Sequence, residues 1–177
     1  MLSSLKFKIS VRIICQVAML IAVTFILERL VPVVNVLTMR ISFAFLPMMF
    51  CGMLFGPVWG AISFGVADIL GWPIMGFIPI PLILLSRIVM GFLFGLILYR
   101  DEPKFFPHSI LSAFLTQIIC GLGLTTLGLA QFYGSPYVPL LVSRIPQTVV
   151  FIVMQLAVFP VLVMLRDALR KSGLTPE

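Results

Sequence analysis

The chain has 177 residues, of which 61% are hydrophobic and only 10% are charged. A soluble globular domain carries about 25% charged residues, so this chain has too little charge to cover a water-exposed surface. The composition excludes a cytosolic enzyme, and it excludes intrinsic disorder, which requires low hydrophobicity. The length favours one domain, and we predict an all-α integral membrane protein.

Six apolar segments along the chain are candidates for membrane-spanning helices. A spanning helix needs about 20 mostly apolar residues, because the hydrocarbon core of a bilayer is about 30 Å thick. The second and third candidates are short, and an alternative is that they form one re-entrant unit. Gly56-Pro57 argues against one continuous helix there, because proline removes a backbone donor and clashes with the preceding turn. The predicted six-helix membrane domain covers 1–177, with approximate helices 13–33, 41–55, 58–71, 78–99, 109–132 and 139–165.

Basic residues at the predicted helix ends indicate an orientation. Eight of the twelve Lys and Arg residues lie at the N-terminus, between the fourth and fifth helices, or after the sixth. Cytoplasmic loops carry an excess of Lys and Arg, so we predict that both termini are cytoplasmic (N-in/C-in). This topology places the other four, Arg29, Arg40, Arg87 and Arg144, in the outer half of the bundle.

The outer arginines need a second explanation. An intramembrane arginine costs at least about 2.5 kcal/mol at a helix centre, so it usually faces the bundle interior or a water-filled cavity. Only Glu28 and Asp68 oppose the four charges on that side. One explanation is that the arginines snorkel to lipid head groups or pair with these acids. The other is an outward-facing cavity in which Arg40, Arg87 and Arg144 bind a ligand's carboxylates.

Polar and aromatic residues near the same face extend this candidate site. Asp68 is either an ion partner of an arginine or a hydrogen-bond acceptor for an N–H-rich ring of a ligand. Thr125 carries a hydroxyl that can bond a neighbouring helix or a ligand. Trp72, Phe77 and Tyr137 lie in Gly- and Pro-containing segments predicted as outer loops. They form either an interfacial aromatic belt or a lid that stacks on a planar ligand.

Motifs for ATP hydrolysis, metal binding and nucleophilic catalysis are absent from the sequence. It has no Walker A, HExxH or GxSxG motif, a single histidine, and three widely spaced cysteines in apolar stretches. We therefore expect no enzyme, no cofactor and no metal. The basic residues flank membrane helices and imply no nucleic-acid partner. A ligand-binding subunit, a self-sufficient secondary transporter or channel, and a structural assembly subunit stay open at this point.

Several segments carry a family resemblance: RISFAFLP (40–47), GMLFGPVWG (52–60), DILG (68–71), LTTL (124–127), YGSPY (133–137) and LLVSR (140–144). They resemble the S components of energy-coupling factor (ECF) vitamin transporters, and most closely the folate branch, FolT. Ala18 and Ala22 match the AxxxA motif with which these proteins contact their shared transmembrane partner. The resemblance covers most of the chain.

This resemblance implies a six-helix, multi-pass subunit in the bacterial cell membrane that captures a folate-like vitamin outside the cell. Uptake would be driven by a separate energising module, made of an EcfT-like transmembrane component and two ATP-binding subunits. The implied ligand residues are Arg87 and Arg144 for carboxylates, Asp68 and Thr125 for polar groups, and Trp72, Phe77 and Tyr137 for stacking.

Two departures from the folate branch leave another vitamin open. Thr125 stands where that branch usually has asparagine, and residues 73–82 differ from its usual sequence after the third helix. Both positions lie around the expected site. The alternative substrate is another carboxylated vitamin such as pantothenate, whose single carboxylate would suit Arg87.

Overall fold

The structure, a computed structural model, describes residues 10–30, 34–36, 39–41, 43–75, 80–99, 105–134 and 136–172. Within these ranges the chain forms a helical bundle with one short β-hairpin. In chain order the elements are α1 (Val11–Leu30), β1 (Val34–Val36), β2 (Met39–Ile41), α2 (Phe45–Phe55), α3 (Pro57–Met75), α4 (Pro81–Leu98), α5 (Phe105–Thr116), a π-helical segment (Gln117–Thr125), α6 (Thr126–Tyr133) and α7 (Tyr137–Lys171).

Apolar helices dominate the described part of the chain. Three of them are long and apolar enough to cross a membrane: Pro81–Leu98, His108–Tyr133 and Tyr137–Lys171. The second of these runs through the π-helical segment, so α5, that segment and α6 form one continuous helix. Val11–Leu27 and Phe45–Phe55 are shorter apolar helices. The number of spans and the N-in/C-in orientation stay predictions.

The β-hairpin occupies the start of the predicted second helix. We predicted a helix from Ile41, but Ile41 ends β2 and α2 begins at Phe45. The two strands pair antiparallel, with Asn35 opposite Arg40. The hairpin segment contains several β-branched residues, whose stiff side chains favour extended backbone over helix. This local preference is the physical reason for the correction.

Helices α3 and α7 extend beyond their predicted ends. α3 reaches Met75 instead of Gly71, and α7 runs from Tyr137 to Lys171 through two internal prolines. Membrane helices tolerate proline because neighbouring helices and hydroxyl side chains satisfy the freed carbonyls. The 35 residues of α7 span about 52 Å, so α7 is longer than the hydrocarbon core is thick.

Helices α2, α3 and α4 form a closely packed block. Gly56 joins α2 to α3 at a φ of 93°, a conformation that glycine adopts without a Cβ clash. Gly60 lies directly against α4, since a Cβ there would be 2.6 Å from the Gly91 carbonyl oxygen. Small residues let membrane helices approach closely and gain packing contacts. The block therefore fixes α4, which carries Arg87, against α3, which carries Asp68.

The main apolar core joins this block to α7. Its buried side chains are Met48, Met49, Phe50, Met53, Phe64, Ala67, Phe94, Leu98, Phe159 and Leu162. A second cluster holds α1 through Ile13 and Val17, which pack against Cys51 and Trp59. The core does not extend to the end of the bundle at which α2, α4 and α7 begin. More polar side chains line that end.

Candidate ligand-binding cavity

A cavity of about 250 Å³ lies between α2, α4, the π-helical segment and α7. Three predicted ligand residues from distant parts of the sequence, Arg87, Thr125 and Arg144, meet there. The complete described lining is Ala44, Phe45, Ser86, Arg87, Met90, Gln117, Cys120, Gly121, Thr125, Arg144, Gln147, Thr148 and Phe151. The lining mixes charged, amide, hydroxyl and aromatic groups, which is typical of a ligand site.

Positive charge dominates the electrostatics of the cavity. Arg87 on α4 and Arg144 on α7 both line it, and their charges are close enough to repel each other. Arg87 Nε lies 3.8 Å from Asp68 Oδ1, and the two side chains are 43% and 18% exposed. A partly exposed ion pair at that separation is weak. No acidic residue is among the described lining residues, so the cavity favours an anionic group.

Hydroxyl groups connect α4 to the π-helical segment inside the cavity. Ser86 Oγ donates a hydrogen bond of 3.0 Å to the Cys120 carbonyl, and it lies 2.8 Å from Thr125 Oγ1. A serine hydroxyl has one hydrogen, so Thr125 is the donor to Ser86. The Thr125 hydroxyl proton is therefore used in the bond to Ser86, and the Thr125 oxygen can still accept a hydrogen bond from a ligand.

The π-helical segment supplies one wall of the cavity, through Gln117, Cys120, Gly121 and Thr125. π-Helical turns are rare and frequently occur at functional sites, because they redirect side chains and alter the backbone bonding pattern. Besides Ser86, two further side chains bond carbonyls of this segment: Thr126 Oγ1 donates to Gly121 at 3.1 Å, and the Tyr137 hydroxyl donates to Leu122 at 3.2 Å. Tyr137 thereby ties the start of α7 to this wall.

The remaining predicted ligand residues are not among the described lining residues. Trp72 is half-buried near the end of α3, and Tyr137 bonds the π-helical segment. Asp68 contacts the site through Arg87. Phe77 lies outside the described residues, as does the side chain of Arg40, whose backbone belongs to β2. Their roles in ligand binding stay predictions.

Several lining residues were missed by the sequence analysis. Gln117, Gln147 and Thr148 place polar groups in the cavity, and Phe45 meets Phe151 edge to face, with ring centroids 6.0 Å apart. The available signal was the presence of uncharged polar residues inside apolar segments, where polar groups are costly and usually functional. The prediction weighed mainly the charged residues of these segments.

The predicted docking residues lie on the outer face of α1. Ala18 and Ala22 are exposed, whereas Ile13, Val17 and Thr24 of the same helix are buried against the bundle. The small-residue face is thus open to a partner helix.

Comparison with known families identifies the family of this protein. A family profile described as "ECF transporter, substrate-specific component" matches residues 12–163, which is most of the chain. The chain belongs to this family. Membership confirms the predicted fold class, a helical, multi-pass membrane protein, to which the structure adds one short β-hairpin. It also confirms that the chain is not an enzyme, because S components are substrate-binding transport components.

A solved structure agrees with this assignment. The S component is similar to the protein in "Crystal structure of FolT bound with folic acid", with a TM-score of 0.73 and 29% sequence identity over 84% of this chain and 90% of that chain. The predicted resemblance to the folate branch is therefore confirmed. Comparison with curated protein sequences gives no match.

Proposed function

We propose that this S component captures folate or a reduced folate at the outer face of the bacterial cell membrane. One observation carries the proposal: Arg87 and Arg144 line a single cavity in a chain that is 29% identical to FolT, which was solved with folic acid. Folates carry two carboxylates, and an arginine can bind a carboxylate through two parallel hydrogen bonds. Two guanidinium groups in one cavity match that chemistry.

Pantothenate is the second candidate because the cavity is small. Sites for drug-sized ligands have volumes of about 300–1,000 Å³, whereas this cavity measures about 250 Å³. A small vitamin with one carboxylate would need less rearrangement of the lining than a folate. The distinction between these candidates therefore depends on whether the cavity enlarges when a ligand binds.

Titration of the purified protein, without ATP, tests the proposal directly. We expect saturable binding of folic acid and of a reduced folate, measured by calorimetry or by the fluorescence of Trp59 and Trp72. Saturable binding of pantothenate with no binding of folates would transfer the assignment to the second candidate. No saturable binding of any of these vitamins would contradict the proposed function.

We further propose that uptake requires a separate energising module. In this arrangement an EcfT-like transmembrane component docks on the face formed by Ala18 and Ala22, and two ATP-binding subunits supply the energy. The exposure of both alanines on α1 supports this role. The proposed N-in/C-in orientation places the starts of α2, α4 and α7, and with them the cavity, toward the outside.

A further inference from the structure

Gln155 lies on the same face of α7 as the cavity-lining residues and follows the last of them, Phe151, by one helical turn. Thr148 and Phe151 of this face line the cavity, and Phe159 belongs to the main apolar core. Residues four apart on a helix share one face, so Phe151, Gln155 and Phe159 form a continuous stripe. Gln155 therefore lies between the cavity and the core.

The side-chain amide of Gln155 is buried without a partner. Its exposed fraction is 1%, and among the described residues neither its Oε1 nor its Nε2 has a hydrogen-bond partner. Buried hydroxyls nearby in sequence behave differently: Thr148 Oγ1, for example, donates to the Arg144 carbonyl at 3.0 Å. Buried polar groups are nearly always hydrogen-bonded, so an unpaired amide requires a specific explanation.

Several side chains that line the cavity or belong to the apolar core can rearrange. Phe45 and Phe151 meet edge to face, and Met90 also lines the cavity. Met48 and Met49 lie in the core that begins beneath them. Methionine has three rotatable bonds and adapts readily to a new shape. A ligand larger than the present cavity of about 250 Å³ can therefore enlarge it toward Gln155.

We propose that Gln155 is a ligand-binding residue at the floor of the cavity, where its amide hydrogen-bonds an uncharged donor–acceptor edge of the ligand. This inference rests on the proposed folate function. Gln155 lies eleven positions after Arg144 on α7, which is about 16 Å along a helix. A ligand whose carboxylate binds Arg144 thus directs its far end to Gln155. The amide offers one acceptor and two donors, which complement a fused pyrimidinone ring.

The substitution Gln155→Met tests this role, because it removes the amide and keeps an unbranched side chain of similar length. We expect the affinity for folic acid to fall at least about tenfold, since the ligand's ring edge loses its partner. We expect the melting temperature of the ligand-free protein to stay equal or to rise, because the unpaired amide is gone. The matched control is Gln16→Met on α1, a half-buried residue that is not among the cavity-lining residues; we expect its affinity to be unchanged.

The outcomes separate this inference from the proposed function. If wild type binds folic acid and Gln155→Met binds it equally well, the role of Gln155 is wrong and the proposed function stands. If wild type binds neither folic acid nor a reduced folate, both are wrong.

Should the variant not fold, a structure of the wild-type protein with folic acid decides. A ligand atom within hydrogen-bond distance of the Gln155 amide supports the inference. An amide that is still unpaired, or is paired only with protein atoms, contradicts it.

Discussion

At the residue scale, the proposed site places two positive charges, those of Arg87 and Arg144, in one cavity. The two guanidinium groups repel each other, and the one ion pair at this site joins Arg87 to Asp68 at 3.8 Å within the described part of the chain. A ligand carboxylate placed between the arginines relieves the repulsion and adds charge-assisted hydrogen bonds. The proposed affinity for anions therefore depends on a local excess of positive charge.

Arg87→Ala and Arg144→Ala should each weaken folic acid binding by at least about tenfold, because a hydrogen bond to a charged group contributes about 1.5–3 kcal/mol. Calorimetric titration measures the effect. Arg12→Ala is the control, since Arg12 is exposed at the start of α1 and is not among the lining residues. An unchanged affinity in either cavity variant would exclude that arginine from the site.

Thr125→Val keeps the branched shape of the side chain and removes the hydroxyl that bonds Ser86 at 2.8 Å. We expect roughly three- to tenfold weaker binding of folic acid, because a neutral hydrogen bond contributes about 0.5–1.5 kcal/mol. Thr24→Val is the control, because the Thr24 hydroxyl bonds the Leu20 carbonyl within α1. Equal losses of affinity in both variants would point to a general structural effect instead of a role of Thr125 at the site.

At the scale of helices, contact between backbones determines the position of Arg87. α3 and α4 approach so closely that Gly60 and Gly91 have no room for a methyl group. Between membrane helices such contact is stabilised by van der Waals packing, because lipid tails are as apolar as the side chains they replace. Widening this contact would shift α4 and its cavity residues relative to α3.

Gly91→Ala should destabilise the protein, because the added methyl group would collide with the Gly60 carbonyl and the Phe64 ring. Overpacking of this kind costs about 1–3 kcal/mol, and a lower melting temperature in detergent would reveal it. Gly71→Ala on α3 is the control, since its added Cβ meets no tertiary neighbour within 4 Å among the described residues. Alanine is favoured over glycine in helices by about 1 kcal/mol, so this variant should be as stable as wild type or more stable.

The double variant Ala18→Leu, Ala22→Leu should bind folic acid like wild type and lose most uptake in cells. Both alanines are exposed on α1, so leucine can be accommodated by lipid, but it would prevent close approach of a partner helix. Ala168→Leu on the exposed face of α7 is the control and should support normal uptake. Normal uptake by the double variant would count against the docking role.

At the scale of the whole molecule, the described structure combines a cavity at one end with a packed core beneath it. The core cluster contains Phe94 and Phe159, both at 0% exposure, and joins α2, α3, α4 and α7 in the described part of the chain. The sequence also lacks a Walker A motif. Under the proposed function, this chain binds the ligand and other subunits supply the energy for its release.

The protein reconstituted alone in liposomes should therefore bind folic acid without accumulating it, under a proton or sodium gradient alike. Accumulation should appear when the EcfT-like component and both ATP-binding subunits are added, with ATP on the side of the membrane where the ATP-binding subunits lie. Radiolabelled folic acid retained on filters measures both states. Gradient-driven accumulation by the protein alone would instead favour a self-sufficient secondary transporter.

The sequence predicted the membrane class, the separation of α2 from α3 at Gly56, and a cavity that Arg87 and Arg144 share. The ligand-binding roles of the two arginines stay predictions. The sequence did not predict the β-hairpin or the length of α7. Proline is a weak stop signal in a membrane helix, where neighbours satisfy the freed carbonyls. Apolar β-branched residues before α2 have a similar hydropathy whether they form a strand or a helix, so hydropathy alone gave no boundary there.

The sequence by itself determined where the chain is apolar, because the transfer of each segment into a bilayer depends on the composition of that segment. Only the tertiary structure decided which side chains share the cavity. In a soluble helix the apolar stripe marks the buried face, but a membrane helix has apolar residues on its lipid-facing and buried sides alike. The rotation of each helix is therefore set by packing contacts between helices, and these bring Arg87, Thr125 and Arg144 together and leave Gln155 beneath them.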